Sequence, residues 1–245
     1  MSRDLKPAVG IIPARYSSVR FPGKPLVPIL GKPMIQRVYE GAMKAKLLER
    51  VIIATDDERI FHAAESFGAE AWMTSRDHTS GTERISEVAQ NLKAALVINI
   101  QGDEPLLQGK MIDGLVVILQ EKSITMASLM IKDNDPGHLH DSNIVKVVVD
   151  KNGYALYFSR SALPFQPSDF FFRHIGIYGY RRDFLLKFSQ MPPSRLEKEE
   201  KLEQLRALEN GYKIKMVETE FATLSVDSPQ DVVKVEEFLK KKSYD

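Results

Sequence analysis

The chain has 245 residues, 43% hydrophobic and 27% charged, enough to bury a sizeable core within one α/β domain. Its 34 basic residues nearly cancel its 33 acidic ones, so no global field recruits nucleic acid or an anionic membrane, and any anion site must be local. The absence of cysteine excludes a disulfide framework and a thiolate metal site, and no apolar stretch approaches the roughly 20 residues that span a bilayer. Met1-Ser2-Arg3-Asp4 lacks the apolar core of a secretory signal, and the expected location is the cytoplasm.

Short β-branched runs alternate with amphipathic ones. Strands are expected at Ala8–Ile12, Val51–Thr55 and Ala95–Ile100, and helices at Met34–Lys46, Ile60–Phe67 and Ile85–Leu92. Val51-Ile52-Ile53-Ala54 and Leu96-Val97-Ile98-Asn99-Ile100 are apolar almost throughout, so each needs cover on both faces, as a parallel sheet between helices provides. After a helix at Ile112–Gln120 the texture changes to strands at Thr125–Ile131, Ile144–Asp150 and Tyr154–Phe158, the last two joined through an Asp150-Lys151-Asn152-Gly153 turn. This predicts an antiparallel excursion over about residues 124–180 inside a single domain spanning 1–245. Leu163–Phe172, with its phenylalanine triplet, is expected to be a loop carrying exposed apolar surface, which suits a partner. Helices follow at Arg182–Gln190 and Arg195–Glu209, the second closed by Gly211, and a last one starts after Ser228-Pro229.

The first strand runs into Pro13-Ala14-Arg15-Tyr16-Ser17-Ser18-Val19-Arg20-Phe21-Pro22-Gly23-Lys24-Pro25-Leu26. This loop places Arg15, Arg20 and Lys24 at the carboxyl edge of the sheet, where open α/β sheets bind ligands. Arginine meets phosphoryl oxygens as a planar fork and lysine as a point charge. The glycine spacing fits neither an ATPase P-loop nor a dinucleotide fingerprint. The pattern Ile-Pro-Ala-Arg-Tyr-x-Ser-x-Arg-x-Pro-Gly-Lys-Pro-Leu resembles the N-terminal signature of the sugar nucleotidyltransferases, in the form of the 3-deoxy-manno-octulosonate cytidylyltransferase family. The resemblance implies a Rossmann-like three-layer sandwich with a mixed, mainly parallel sheet and an antiparallel dimerisation excursion, hence a homodimer. It also implies transfer of CMP from CTP to an acid sugar for lipopolysaccharide biosynthesis, with Ala14, Arg15 and Lys24 contacting CTP and the two cations on its triphosphate.

Met73–Arg84 leads into a helix, and on physics alone Thr79 or Ser80 is its cap and Glu83 completes a capping box. The same stretch resembles the family's nucleotide loop, which implies contacts from Arg76, Ser80 and Gly81, while His78 reads as a hydrogen-bonded supporting group. Gln101-Gly102-Asp103-Glu104-Pro105 ends a buried strand with a carboxylate. Magnesium takes one or two carboxylates plus substrate phosphates, so Asp103 needs one companion. Asp227, in Val226-Asp227-Ser228-Pro229, is the candidate, although it also suits a helix start. The resemblance implies that Asp103 and Asp227 are the protein ligands of Mg2+.

On the acceptor side, Arg160 ends a strand, and alternation from Arg173 to Tyr180 puts His174, Gly176, Tyr178 and Tyr180 on one face. A carboxylate and many hydroxyls on an acceptor would be met by Arg160, His174, Tyr178 and Gln101, while half-buried packing accounts equally well for His174 and Tyr178. The resemblance adds Glu203 and Gln204 as sugar contacts. His138-Leu139-His140 sits among turn-forming residues and is expected to be a solvated loop, and Lys240-Lys241-Lys242 a frayed helix end. A cytidylyltransferase for a related acid or amino-substituted sugar, or a catalytically silent nucleotide-binding homologue, are the competing readings.

Overall fold

The structure is a computed structural model that describes residues 6–17, 21–221 and 223–242. Its elements begin with β1 (Ala8–Ala14), a small hairpin of β2 (Pro28–Ile29) and β3 (Lys32–Pro33), α1 (Met34–Ala42), β4 (Arg50–Thr55), α2 (Glu58–Ser66), β5 (Glu70–Met73), α3 (Gly81–Gln90), β6 (Leu96–Asn99) and α4 (Gly109–Ile118). They continue with β7 (Met126–Asp133), α5 (Pro136–His140), β8 (Lys146–Val149), β9 (Ala155–Ser159), β10 (Phe171–Arg181), α6 (Arg182–Phe188), α7 (Arg195–Glu200), α8 (Gln204–Glu209), β11 (Ile214–Glu218) and α9 (Pro229–Lys242).

The main sheet runs β11-β7-β10-β6-β1-β4-β5, with β8 and β9 attached at the start of β10. β6, β1, β4 and β5 are mutually parallel, β10 is antiparallel to both β6 and β7, and β11 is parallel to β7. Side chains alternate as the pleat requires: Ala8, Ile12 and Ala14 join one core with α1, α2 and α4, whereas Val9 and Ile11 join the other with α3, α6 and α8. Helices therefore cover both faces, the expected three-layer sandwich. A third, smaller cluster of Ile29, Met34, Leu106, Val226 and Val235 seats α9 against the loop after β6. That seating carries Asp227 toward Asp103, and Val226 N–H donates to the Asp103 carbonyl at 2.9 Å.

Four details differ from the sequence expectation. The helix expected over Arg195–Glu209 is broken into α7 and α8, because Lys201 takes a left-handed conformation at φ 56° and the end of α7 is tied elsewhere: Glu200 accepts from Ser159 Oγ and the Arg160 N–H. Phe171 and Phe172 belong to β10, where they pair with β7, rather than to the preceding loop. His138-Leu139-His140 lies in the single turn α5, anchored by buried Leu139. In the β8–β9 hairpin Gly153 alone has positive φ, at 74°, so the connection is closed by Gly153 N–H donating to the Asp150 carbonyl rather than by a two-residue Asn-Gly turn.

Candidate functional site

The parallel strands end together, and their following loops enclose two adjoining cavities. The smaller, about 280 Å³, is lined by Ala14, Arg15 and Lys24 after β1, by His78–Gly81 and Arg84 at the start of α3, by Gln101–Asp103 after β6, and by Asp227. Ser80 caps α3 by accepting from Glu83 N–H, and Glu83 answers from its own side chain, so the capping box expected from sequence is present. Gly81 lets the helix start approach β1: a Cβ there would sit 3.2 Å from Pro13 Cγ. The α3 N-terminus thus opens into the cavity with its partial positive charge. His78 is held by Glu87, as a supporting group. Buried Arg84 is tied to Asp56 at 2.8 Å and to Thr74, and sequence reasoning had passed it over as part of the helix start. Arg76 is exposed and lies outside both linings, near enough to Asp57 to lower that carboxyl's pKa behind Arg59's contribution. Arg20 lies outside the described residues.

Lys24 marks the junction of the cavities. Its Nζ donates to Asp103 Oδ2 at 2.7 Å and to the Val226 carbonyl at 2.9 Å, and lies 3.5 Å from Asp227 Oδ1. Two carboxylates from distant parts of the chain therefore converge on one cation. Beside them Glu104 is buried: Ser225 Oγ donates to its Oε1, Oε2 has no partner, and its carboxyl is pushed up to about 7 by burial and then by the charge of Asp103. Among the described residues no group of three or more His, Cys, Asp or Glu side chains could hold a metal by itself.

The larger cavity, about 1430 Å³, shares Thr79, Ser80, Gly81, Gln101, Asp103 and Asp227 with the first, and adds His174, Gly176, Tyr178, Glu203 and Gln204. His174 Nε2 and Ser128 Oγ are 2.8 Å apart, the ring packs edge-on to Phe158 at 4.9 Å, and burial pushes the imidazole down to about 3. Burial raises the Tyr178 phenol and the Glu203 carboxyl. Thr82 Oγ1 donates to Glu203 Oε2, while Oε1 is buried without a hydrogen bond. Arg160 is not in this lining: its guanidinium donates to the carbonyls of Glu200 at 3.1 Å and Ser142 at 2.9 Å. Arg173 occupies the wall instead. The His174 burial makes a testable statement. Below pH 6.5 the unfolded chain binds this proton and the folded chain does not, so stability falls by about 1.4 kcal/mol per pH unit from about 6.5 toward 3. Glu104 works oppositely between 4.5 and about 7, so the contribution is read as a difference: the stability gap between wild type and His174→Gln should narrow steadily as pH falls from 6.5, and a gap independent of pH contradicts it.

A phosphate-suited loop and helix start on one side, an acceptor-sized polar cavity on the other, and paired carboxylates between them define a nucleotidyltransferase. Residues 9–214 match the Cytidylyltransferase family. A 3-deoxy-manno-octulosonate cytidylyltransferase of Solibacter usitatus is 50% identical over 95% of this chain and 94% of its own length, and one of Geotalea uraniireducens is 51% identical over 94% and 98%. The CTP complex of CMP:2-keto-3-deoxy-manno-octonic acid synthetase superposes with a TM-score of 0.91, at 41% identity over 96% of this chain and 99% of that one. The chain belongs to the cytidylyltransferase family, among its 3-deoxy-manno-octulosonate cytidylyltransferases.

Proposed function

We propose that the protein transfers CMP from CTP to the anomeric hydroxyl of 3-deoxy-D-manno-octulosonate, releasing pyrophosphate and giving the activated sugar used in lipopolysaccharide biosynthesis. The observation that carries this reading is the sharing of Asp103 and Asp227 by the two cavities, which puts the reacting centre where a nucleotide and a second substrate meet. The smaller cavity takes CTP against Ala14, Arg15, Lys24, Ser80 and Gly81, while Gln101, His174, Tyr178, Glu203 and Gln204 face the sugar. Arg76 and Arg160 contribute only if their side chains turn inward on binding.

The acceptor hydroxyl gives its proton to solvent as its oxygen attacks the α-phosphorus; a new P–O bond forms, the bond to the β-phosphate oxygen breaks, and pyrophosphate leaves with the electron pair. Holding the two substrates end to end across Asp103 and Asp227 turns a bimolecular encounter into a positioned one. Arg15, Lys24 and the α3 N-terminus oppose the charge that grows on the departing phosphates. Neutral His174, fixed by Ser128, and Glu203, whose Oε1 has no hydrogen bond and lies 3.5 Å from Arg206 Nη2, orient sugar hydroxyls. Asp103 and Asp227 fit Mg2+: both are oxygen donors, and both already lie against one cation. Bound there, magnesium would neutralise α-phosphate oxygens and make a coordinated hydroxyl more acidic. The deciding assay is pyrophosphate release with each of the four nucleoside triphosphates and a set of acid sugars. CTP with 3-deoxy-D-manno-octulosonate should give the highest kcat/KM, and a related acid sugar used better would displace this substrate.

A homodimer belongs to the same reading. The excursion leaves Leu156 62% exposed on β9, with Phe165 at 85% and Phe170 at 41% in and beside the following loop. β9 pairs with β8 alone among the described strands, so an apolar edge is open. Sedimentation at micromolar concentration should show a dimer, and Leu156→Asp with Phe165→Asp should shift it to monomer. A wild-type monomer under those conditions rules the dimer out. No helix among the described residues is long and apolar enough to cross a membrane, which agrees with the proposed cytoplasmic setting.

A further inference from the structure

Tyr16 and Gly23 close the base of the cationic loop after β1. The Gly23 N–H donates to the Tyr16 carbonyl at 2.9 Å, so Arg15 and Lys24 stand one residue outside each end of a tied pair. Gly23 has φ 71°, and a Cβ there would lie 3.1 Å from both Cζ and the hydroxyl oxygen of Tyr16, so the ring reaches this turn only because the backbone is bare. The same ring is met from α2. The Arg59 guanidinium carbon lies 3.3 Å from the Tyr16 ring centre, the geometry of a cation–π contact.

Arg59 is held in that place. Its Nε donates to Asp57 Oδ1 at 2.9 Å and its Nη2 to Oδ2 at 2.7 Å, a fork on a carboxylate whose Oδ1 also caps α2 by accepting from the Arg59 N–H at 3.0 Å. An arginine side chain 59% exposed ordinarily samples many rotamers, and here a carboxylate and a ring remove that freedom. The exposed ion pair by itself is worth little, so its consequence is the direction it gives the guanidinium. Neither Arg59 nor Tyr16 lines either cavity, and any effect on a nucleotide is carried by the loop. A loop fixed before binding spares its ligand the cost of ordering it.

We propose that Arg59 is a positioning residue which, through its contact with Tyr16, sets the spacing of Arg15 and Lys24 for the triphosphate before the nucleotide binds. This rests on the CTP reading of the smaller cavity. Titration of CTP without sugar, by calorimetry, reads the effect apart from chemistry. Arg59→Ala should weaken CTP binding by about three- to tenfold and raise the CTP KM by the same factor, with kcat and the sugar KM within about twofold. Its Tm should hold, because the N–H of residue 59 still meets Asp57 and the α2 cap survives. Arg59→Lys, which keeps the charge but not the fork, should fall between, and Tyr16→Phe, which keeps the ring, should match wild type. Tyr16→Leu should lose at least as much as Arg59→Ala, and adding Arg59→Ala to it should cost nothing more, since the two act as one unit. Unchanged CTP affinity in Arg59→Ala, losses that multiply in the double variant, or a sugar KM rising in step with that for CTP each overturns the assignment. Wild type that does not bind CTP would instead defeat the nucleotide reading of the cavity, and the inference with it.

Discussion

Asp103→Asn or Asp227→Asn will lower kcat by about 1,000-fold at ordinary magnesium while leaving the fold intact, the size expected when a group that stabilises transition-state charge is removed. Neither side chain is core packing: Asp103 is 30% exposed and Asp227 51%. The fold-side cost is the weakened pairing with Lys24, which is 17% exposed, and that is worth about 1 kcal/mol. A small shift in Tm beside a large loss of turnover is thus the expected signature. The asparagines keep size and hydrogen bonding but lose the charge that phosphate-bound magnesium requires. CTP should still bind to the variants, because Arg15, Ser80 and Gly81 are untouched. Turnover within tenfold of wild type in either variant would remove both residues from the metal-binding role.

The parts of this site that were legible in the sequence are those whose chemistry is local. The cationic loop after β1 and the Gln-Gly-Asp-Glu-Pro turn after β6 sit where apolar strands end, so their place at the carboxyl edge follows from strand patterning alone. Asp227 was a candidate among its residues, and the resemblance singled it out, since the packing of Val226 and Val235 that brings it to Asp103 is a contact between distant segments. β11 escaped notice because its short run Ile-Lys-Met-Val-Glu carries two charges, tolerated at an edge strand whose ladder partner is β7 and whose other side meets only the bridge from Tyr154 to Lys215. The break between α7 and α8 was hidden by a continuous helical pattern, and tertiary ties to Glu200 override it. For Arg160 a strand-end position fixes the Cα, not the carbonyls of Glu200 and Ser142 that hold the side chain in this structure.

Arg206→Met should be the most damaging single change to the fold. Arg206 is 7% exposed and Glu197 13%, and the pair is bidentate, with Nε to Oε2 at 2.7 Å and Nη2 to Oε1 at 2.5 Å. The guanidinium also lies 5.3 Å from the Phe188 ring centre and donates to the Met191 carbonyl at 3.2 Å. Methionine fills most of this volume but leaves the largely buried Glu197 carboxylate without its cation, with the Ser194 N–H as its remaining donor, which costs about 3–5 kcal/mol. For a chain of this length that lowers Tm by about 6–20 °C. Adding Glu197→Gln removes the stranded charge, so the double variant should recover at least half of the loss even though it has lost more native contacts. The exposed pair Arg195–Glu199 is the control, and Arg195→Ala should leave Tm unchanged. The effect extends to the acceptor cavity. Arg206 lies 3.5 Å from Glu203, and both it and Gln204 belong to the segment that starts α8, so the sugar KM should rise in Arg206→Met while the CTP KM holds. A double variant no more stable than Arg206→Met would show that lost packing against Phe188, not the uncompensated charge, is what the fold cannot absorb.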